Sequence, residues 1–184
     1  MTDATPRWRA FAVGVGANLG DRSRQVAMAV RLLADDPSIR HLRVADGIVT
    51  DPVVPNGDAE AHPAYLNTAI IGETTRSPDM LLARLLAIET ACGRRRRGTV
   101  DPRTLDLDLL VHEGFTVRRD GLEVPHPRLA GRRFVLDPLI GLLAGAAGVS
   151  GADQTVDPWP GGPASQDAIR RELAEAGVAE SDLR

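Results

Sequence analysis

Thr104-Leu-Asp-Leu-Asp-Leu-Leu-Val111 alternates apolar and polar side chains without a break from Leu105 to Leu109. A period of two marks a half-buried β-strand, with Leu105, Leu107 and Leu109 turned to a core. Asp106 and Asp108 then share the opposite face, about 7 Å apart at their Cα atoms. Upstream, Ser77-Pro78 pairs a capping serine with proline at the first helical position. Leu81, Leu82, Leu85, Leu86, Ile88 and Glu89 carry that helix to Gly93, a C-terminal glycine cap. Leu66 to Thr74 reads as the strand before it, and Asp51 to Pro63 as a loop of Pro, Asn, Gly and Asp. Ile39 to Thr50 is strand-like. Nearest the start, Phe11 to Gly16 is a short apolar run bounded by glycine, hence a buried strand. Asp21 then caps a helix through Val26, Ala29, Val30 and Leu33 that stops at Pro37.

Downstream, Asp120-Gly121 is a hairpin signal inside Phe115 to Val124, and Val135 to Leu143 is expected to be helical. The stretch from Ala144 to Ser165 is rich in Gly, Ala and Pro and reads as loosely ordered. A weak helical pattern follows from Ala168 to Ala176. The order is β-α-β-β-α-β, which predicts an α+β fold: a ferredoxin-like βαββαβ sandwich, its antiparallel sheet carrying both helices on one face, plus C-terminal additions. The expected organisation is a tail over 1–10, one domain over 11–143 and a Gly/Pro-rich extension over 144–184.

The chain has 184 residues, 43% hydrophobic and 26% charged, enough for a single core. A net charge of −3 offers no overall attraction to nucleic acid or anionic membrane. The single cysteine, Cys92, excludes an internal disulfide and a cysteine-type zinc site. No apolar run is long enough to span a bilayer, and Met1 to Trp8 lacks a charged segment followed by an apolar one. The expected compartment is the cytoplasm, and the expected oligomeric state is a monomer.

Asp106 and Asp108 repel each other unless a cation lies between them, and hard oxygen ligands favour Mg²⁺. Taken alone, Asp-x-Asp on a strand is also what a solvated polar face looks like. Arg94, Arg95, Arg96, Arg97 and Arg103 precede it, five guanidiniums in ten residues. Alone, such a run is a solvated loop or a nucleic-acid patch; beside metal-type aspartates it reads as a polyphosphate clamp. Carboxylates with clustered arginines are the equipment of phosphoryl transfer. No Gly-x-x-x-x-Gly-Lys-Ser/Thr loop is present, and Gly14-x-Gly16 with Gly20 is only a weak dinucleotide signal.

Arg103-Thr-Leu-Asp-Leu-Asp-Leu-Leu110, preceded by Ile88-Glu89 and Gly93-Arg94, resembles the signature of the 6-hydroxymethyl-7,8-dihydropterin pyrophosphokinases. Gly16-Ala-Asn-Leu-Gly-Asp21, Tyr65-Leu-Asn67, Val124-Pro-His-Pro-Arg128, Arg132 and Phe134-Val-Leu match in the same order, from about Ala12 to Leu143. The resemblance implies transfer of pyrophosphate from MgATP to the hydroxymethyl group of the reduced pterin, with release of AMP, in folate biosynthesis. It implies that Asp106 and Asp108 hold two Mg²⁺ ions, and that Arg94 and Arg103 act at the transferring group. Arg96 and Arg97 correspond to triphosphate contacts; Glu89, His126 and Arg132 correspond to positions lining the nucleotide. The pterin site is implied at Thr50, Pro52, Tyr65, Asn67 and Phe134, with Asp106 beside it. Stacking rings and a carboxamide suit a flat heteroaromatic with an amide edge. His126 as a turn histidine and Phe134 as a core residue are the plain alternatives.

Three departures stand out: Val100-Asp101-Pro102-Arg103 where relatives carry Trp-Gly-Pro-Arg, a longer loop from Asp51 to Ala64, and Ala17 in place of serine. They leave room for a non-catalytic pterin- or nucleotide-binding relative. A nucleic-acid-binding domain is disfavoured, because the strands lack a surface-aromatic Lys/Arg-Gly-Phe-x-Phe pattern.

Overall fold

In the computed structural model the described residues are 7–51, 63–94, 104–145 and 162–183. Seven strands and four helices follow in the order β1 (Arg9–Ala17), α1 (Arg22–Ala34), β2 (Ile39–Val44), β3 (Ile48–Thr50), β4 (Tyr65–Thr74), α2 (Pro78–Ala91), β5 (Asp106–His112), β6 (Val117–Arg119), β7 (Leu122–Val124), α3 (Arg133–Leu143) and α4 (Gly162–Glu175). The main sheet runs β2-β4-β1-β5, with β3 also on β4, and every pairing is antiparallel. The fold is α+β and compatible with a ferredoxin-like sandwich.

The helices begin where short-range chemistry places them. The Asp21 carboxylate accepts the Arg24 N–H, and the Ser77 hydroxyl accepts that of Met80, each satisfying a donor that the first helical turn leaves unpaired. Gly93 closes α2 at φ +81°, a conformation costly for any residue with a Cβ. Behind these ends, Leu33 from α1 and Leu81, Leu85 and Ile88 from α2 are buried against Phe11, Val13, Leu105, Leu107 and Leu109. Fully burying such side chains is worth about 1.5–3 kcal/mol each.

The other face is not bare. Val135, Leu136, Leu139 and Leu142 of α3, and Ala168, Ile169 and Leu173 of α4, bury Ala10, Ala12, Ala69 and Ile71. Helices therefore cover both faces, two on each, rather than one alone. The physical reason is legible in β1 and β4, whose interior residues are buried at both parities.

Three details go beyond the expected boundaries. Ile39 to Thr50 is two strands, both on β4 and separated at residues 45–47; within β2 the register shifts between Arg40 and Arg43, where His41 has φ +55°. The alternation in β5 ends at Leu110, where a bulge opposite Ala12/Val13 puts both Leu110 and Val111 in the second core. The last helix begins at Gly162 instead of near Ala168, so Gly162 to Ser165, read as loose, is helical. Residues 146–161 lie outside the described residues. Among the described residues no helix is long and apolar enough to cross a membrane.

Candidate active site

β5 puts Asp106 and Asp108 side by side on the face that carries α3, with side chains 24% and 34% exposed. Arginines reach them from two directions. Past the glycine cap of α2 the chain doubles back, the Arg94 N–H bonding the Glu89 carbonyl at 3.0 Å. That turn sends the Arg94 guanidinium to Asp106, Nη1 donating to Oδ1 at 2.5 Å. Arg132, the residue before α3, donates from Nη1 to Asp108 Oδ2 at 2.8 Å. Each aspartate thus has one oxygen engaged by its own arginine.

Glu89 lies beneath this pair. It is 2% exposed, and its Oε1 accepts from Arg94 Nη1 and, at 2.8 Å, from the backbone N–H of Leu107. One buried carboxylate therefore ties α2 to β5 and aims Arg94 at Asp106. Its burial is tolerable because it is paired and hydrogen-bonded.

His126 is fixed against the same strand through its N–H to the Leu110 carbonyl, at 2.8 Å. Its Nδ1 accepts the Arg128 N–H at 3.2 Å, which leaves Nε2 as the protonated nitrogen of the neutral ring. Burial holds the imidazole below its ordinary pKa; the nearby Asp108 opposes that and Arg132 adds to it. The ring is therefore mainly neutral at neutral pH. Between β5 and the β6–β7 hairpin runs a cleft of about 340 Å³, lined by Leu82, Leu109, Leu122, Asp108 and His126. Sequence reasoning missed its apolar walls; the hairpin signal at Asp120-Gly121 was the available pointer.

A second group sits at the same end of the sheet. Asn67 on β4 is 5% exposed and donates from Nδ2 to Thr50 Oγ1 at 2.8 Å. Tyr65 pairs with Thr50 and is half-buried on the Asn67 side of β4. Phe134 is half-buried against the α3 core. Asn67 and Asp106 are not remote: Gly16 of β1 is the register partner of both, so the three form one row across the sheet. Pro52, Arg96, Arg97 and Arg103 lie outside the described residues.

The donors fit magnesium. Among the described residues no three His, Cys, Asp or Glu side chains converge. A cation here would have two hard carboxylates from the chain and complete its shell with water or phosphate oxygens, which is how Mg²⁺ is held and how a closed zinc or calcium cage is not.

Paired carboxylates with an arginine on each, beside a cleft of about 340 Å³, have the chemistry that transfer of a polyphosphate group uses. The comparison with known families narrows this: residues 12–144 match the family of 7,8-dihydro-6-hydroxymethylpterin-pyrophosphokinases, and the chain belongs to that family. The 2-amino-4-hydroxy-6-hydroxymethyldihydropteridine pyrophosphokinase of Bacillus subtilis is 36% identical over 127 residues, 69% of this chain and 74% of the relative. That of Methylorubrum extorquens is 38% identical over 127 residues, 69% of this chain and 78% of the relative. The mitochondrial folate synthesis bifunctional protein of Pisum sativum is 37% identical over 134 residues, but these are only 25% of its length.

Proposed function

We infer that the chain is an ATP-dependent pyrophosphokinase of folate biosynthesis, moving pyrophosphate from ATP to the hydroxymethyl oxygen of 6-hydroxymethyl-7,8-dihydropterin and releasing AMP. The observation that carries the reading is the pair Asp106 and Asp108, each engaged by its own arginine on one strand face. In this reading the two aspartates hold two Mg²⁺ ions, which would neutralise the triphosphate and lower the pKa of the acceptor hydroxyl. Leu82, Leu109 and Leu122 receive the base, and His126 and Arg132 flank the phosphates. Glu89 holds Arg94 where negative charge develops on the transferring group, so that the guanidinium needs no reorganisation during the reaction. Arg103 acts there too, with Arg96 and Arg97 on the triphosphate. Tyr65 and Phe134 stack on the pterin, while Asn67, Thr50 and Pro52 read its amide edge.

The bond broken joins the β-phosphorus of ATP to the oxygen that bridges it to the α-phosphorus, and the bond formed joins the acceptor oxygen to the β-phosphorus. The hydroxyl proton passes to solvent as AMP departs with the bridging oxygen. Arg94 on Asp106, Arg132 on Asp108 and the buried Glu89 behind them support turnover over a binding-only relative. The protein acts as a cytoplasmic monomer in this reading.

Incubation with MgATP and the hydroxymethyl-dihydropterin, followed by nucleotide analysis, tests it. AMP in step with pterin diphosphate is the expected outcome. ADP would mean a different kinase, and no turnover a binding protein.

A further inference from the structure

His126 and Arg132 both come from the stretch that joins β7 to α3, and both bear on Asp108: its charge acts on the imidazole, and the guanidinium bonds it. Between Val124 and Val135 this stretch buries a single residue, Leu129. It is 1% exposed and belongs to the core of α3, α4, Leu110 and Val111. Two turns meet at that residue. Its N–H bonds the His126 carbonyl at 3.0 Å, and its carbonyl accepts the Arg132 N–H at 3.2 Å. Leu129 is thus the backbone link between two site residues and the point where their connection is fastened to the core.

The two turns differ in stiffness. Pro127 stands second in the first turn, where its fixed φ suits the geometry, and the Arg128 N–H bonds His126 Nδ1 as well. His126 is also held from outside, by its N–H on the Leu110 carbonyl. The second turn has Ala130 and Gly131 at its centre, both exposed and neither with a fixed dihedral. Arg132 follows it with no side-chain cap on α3. Its backbone has two supports: α3, whose Val135 and Leu136 N–H groups bond its carbonyl, and Leu129 on the other side.

We propose that Leu129 is a positioning residue for the phosphate side of the site: its buried side chain fixes the soft turn that aims Arg132 at Asp108. This rests on the pyrophosphokinase reading above and adds a residue buried too deeply to touch either substrate. A long side chain keeps its aim only when the backbone beneath it is locked by packing. The same need explains an apolar residue in a run that is otherwise exposed from Pro127 to Gly131. His126, held by a stiff turn and by β5, depends on the anchor less than Arg132 does.

The wild-type chain is assayed first for AMP formation, so that failure of the pyrophosphokinase reading is seen before any variant is judged. Affinity for a non-hydrolysable ATP analogue with Mg²⁺ is then measured, at a temperature where every protein is folded. The set is Leu129→Ala, Arg132→Ala, His126→Ala and the two double variants that contain Leu129→Ala. Leu129→Ala is expected to weaken analogue binding about fivefold or more and to lower kcat less, since Arg132 serves binding. Combined with Arg132→Ala it should add almost nothing, because residues that act as one unit are not additive. Combined with His126→Ala it should keep its full effect. Leu129→Met, which conserves volume, should bind as the wild type does. Leu173→Ala opens the same core from α4; it should lower the melting temperature as Leu129→Ala does, yet leave analogue affinity within about twofold. Should Leu129→Ala fail to fold, Leu129→Val takes its place, with a loss of about two- to threefold that again vanishes beside Arg132→Ala. Full affinity in the folded variant, full additivity with Arg132→Ala, or an equal loss from Leu173→Ala overturns the proposal.

Discussion

Arginine meets carboxylate at both ends of the sheet, with opposite consequences. At one end, among the described residues, Arg94 reaches Asp106 and Arg132 reaches Asp108, and the carboxylate side chains stay 24% and 34% exposed. At the other, Asp36 is 3% exposed and takes Arg76 in two hydrogen bonds, Arg84 at 3.1 Å and the Ser38 N–H. Glu73 there is 6% exposed and is enclosed by Arg40, His41 and the Ser165 hydroxyl. The same ion-pair chemistry is exchangeable where water and ligand can enter and a fixed joint where they cannot. Open pairs can hand a carboxylate to a cation, whereas breaking an enclosed pair strands a buried charge.

The largest expected effect sharpens that contrast. Asp106→Ala or Asp108→Ala should cut turnover by roughly a thousandfold or more, because phosphate charge is left uncompensated in the transition state. The melting temperature should change little, since the lost pair was partly solvated. Steady-state assay with thermal denaturation checks both halves. Ordinary activity in the double variant would remove the aspartates from the mechanism.

Asp36→Ala should show the inverse. Arg76 and Arg84, 23% and 28% exposed, would lose their shared carboxylate, at a cost of about 1.5–3 kcal/mol in denaturant unfolding. Turnover per folded molecule should stay at the wild-type value, because Asp36 sits at the end of the sheet away from the site. A fall in turnover at full folding would mean that the two ends are coupled.

Arg94→Ala and Arg132→Ala come next, at roughly a hundredfold in turnover for the former. If Arg94 acts on developing charge, kcat falls more than the affinity for an ATP analogue. Arg132→Ala should weaken analogue binding more than it slows chemistry. Equal losses in both variants would mean that the two arginines do the same work.

How far the sequence shows this contrast depends on range. Period-two alternation around Asp106 and Asp108, and the capping residues Asp21 and Ser77, are local signals, and the elements they announce are present. Helices on both faces were not legible as such, because α4 is announced by weak periodicity after a stretch of Gly and Pro. The clue was instead that β1 and β4 are apolar at both parities. At the site, the aspartates and Arg94 could be named, but not that Glu89 lies under them. Glu89 was legible as a position lining the nucleotide, but its burial under Arg94 depends on the Leu107 N–H of a distant strand, which no local pattern carries. Asp36 and Glu73 carry no motif at all, since enclosed pairs arise from contacts between distant segments.

The smallest effect sets the enclosed carboxylates against one another. Burial raises the pKa of Asp36, but the Ser38 N–H and the Arg76 and Arg84 charges outweigh it, so the folded value lies below the ordinary 3.8. Glu172 on α4 is the reverse case: burial holds its carboxyl above 4.5, the Gly114 N–H opposes, and the Glu175 and Glu113 charges reinforce burial. The signs follow by linkage. A carboxylate with a depressed folded pKa contributes stability that is complete above its unfolded value and lost as pH falls through the folded one. One with a raised folded pKa binds its proton more tightly when folded, so its contribution declines as pH rises from the unfolded to the folded value. The stability gap between wild type and Asp36→Asn should therefore be flat above about pH 5 and close in more acid solution. Glu172→Gln should instead gain on wild type as pH rises above 4.5, by no more than about 1.4 kcal/mol per pH unit for one proton. Urea unfolding of the three proteins across that range reads both slopes, and two gaps of the same sign would show that enclosure acts alike on both groups.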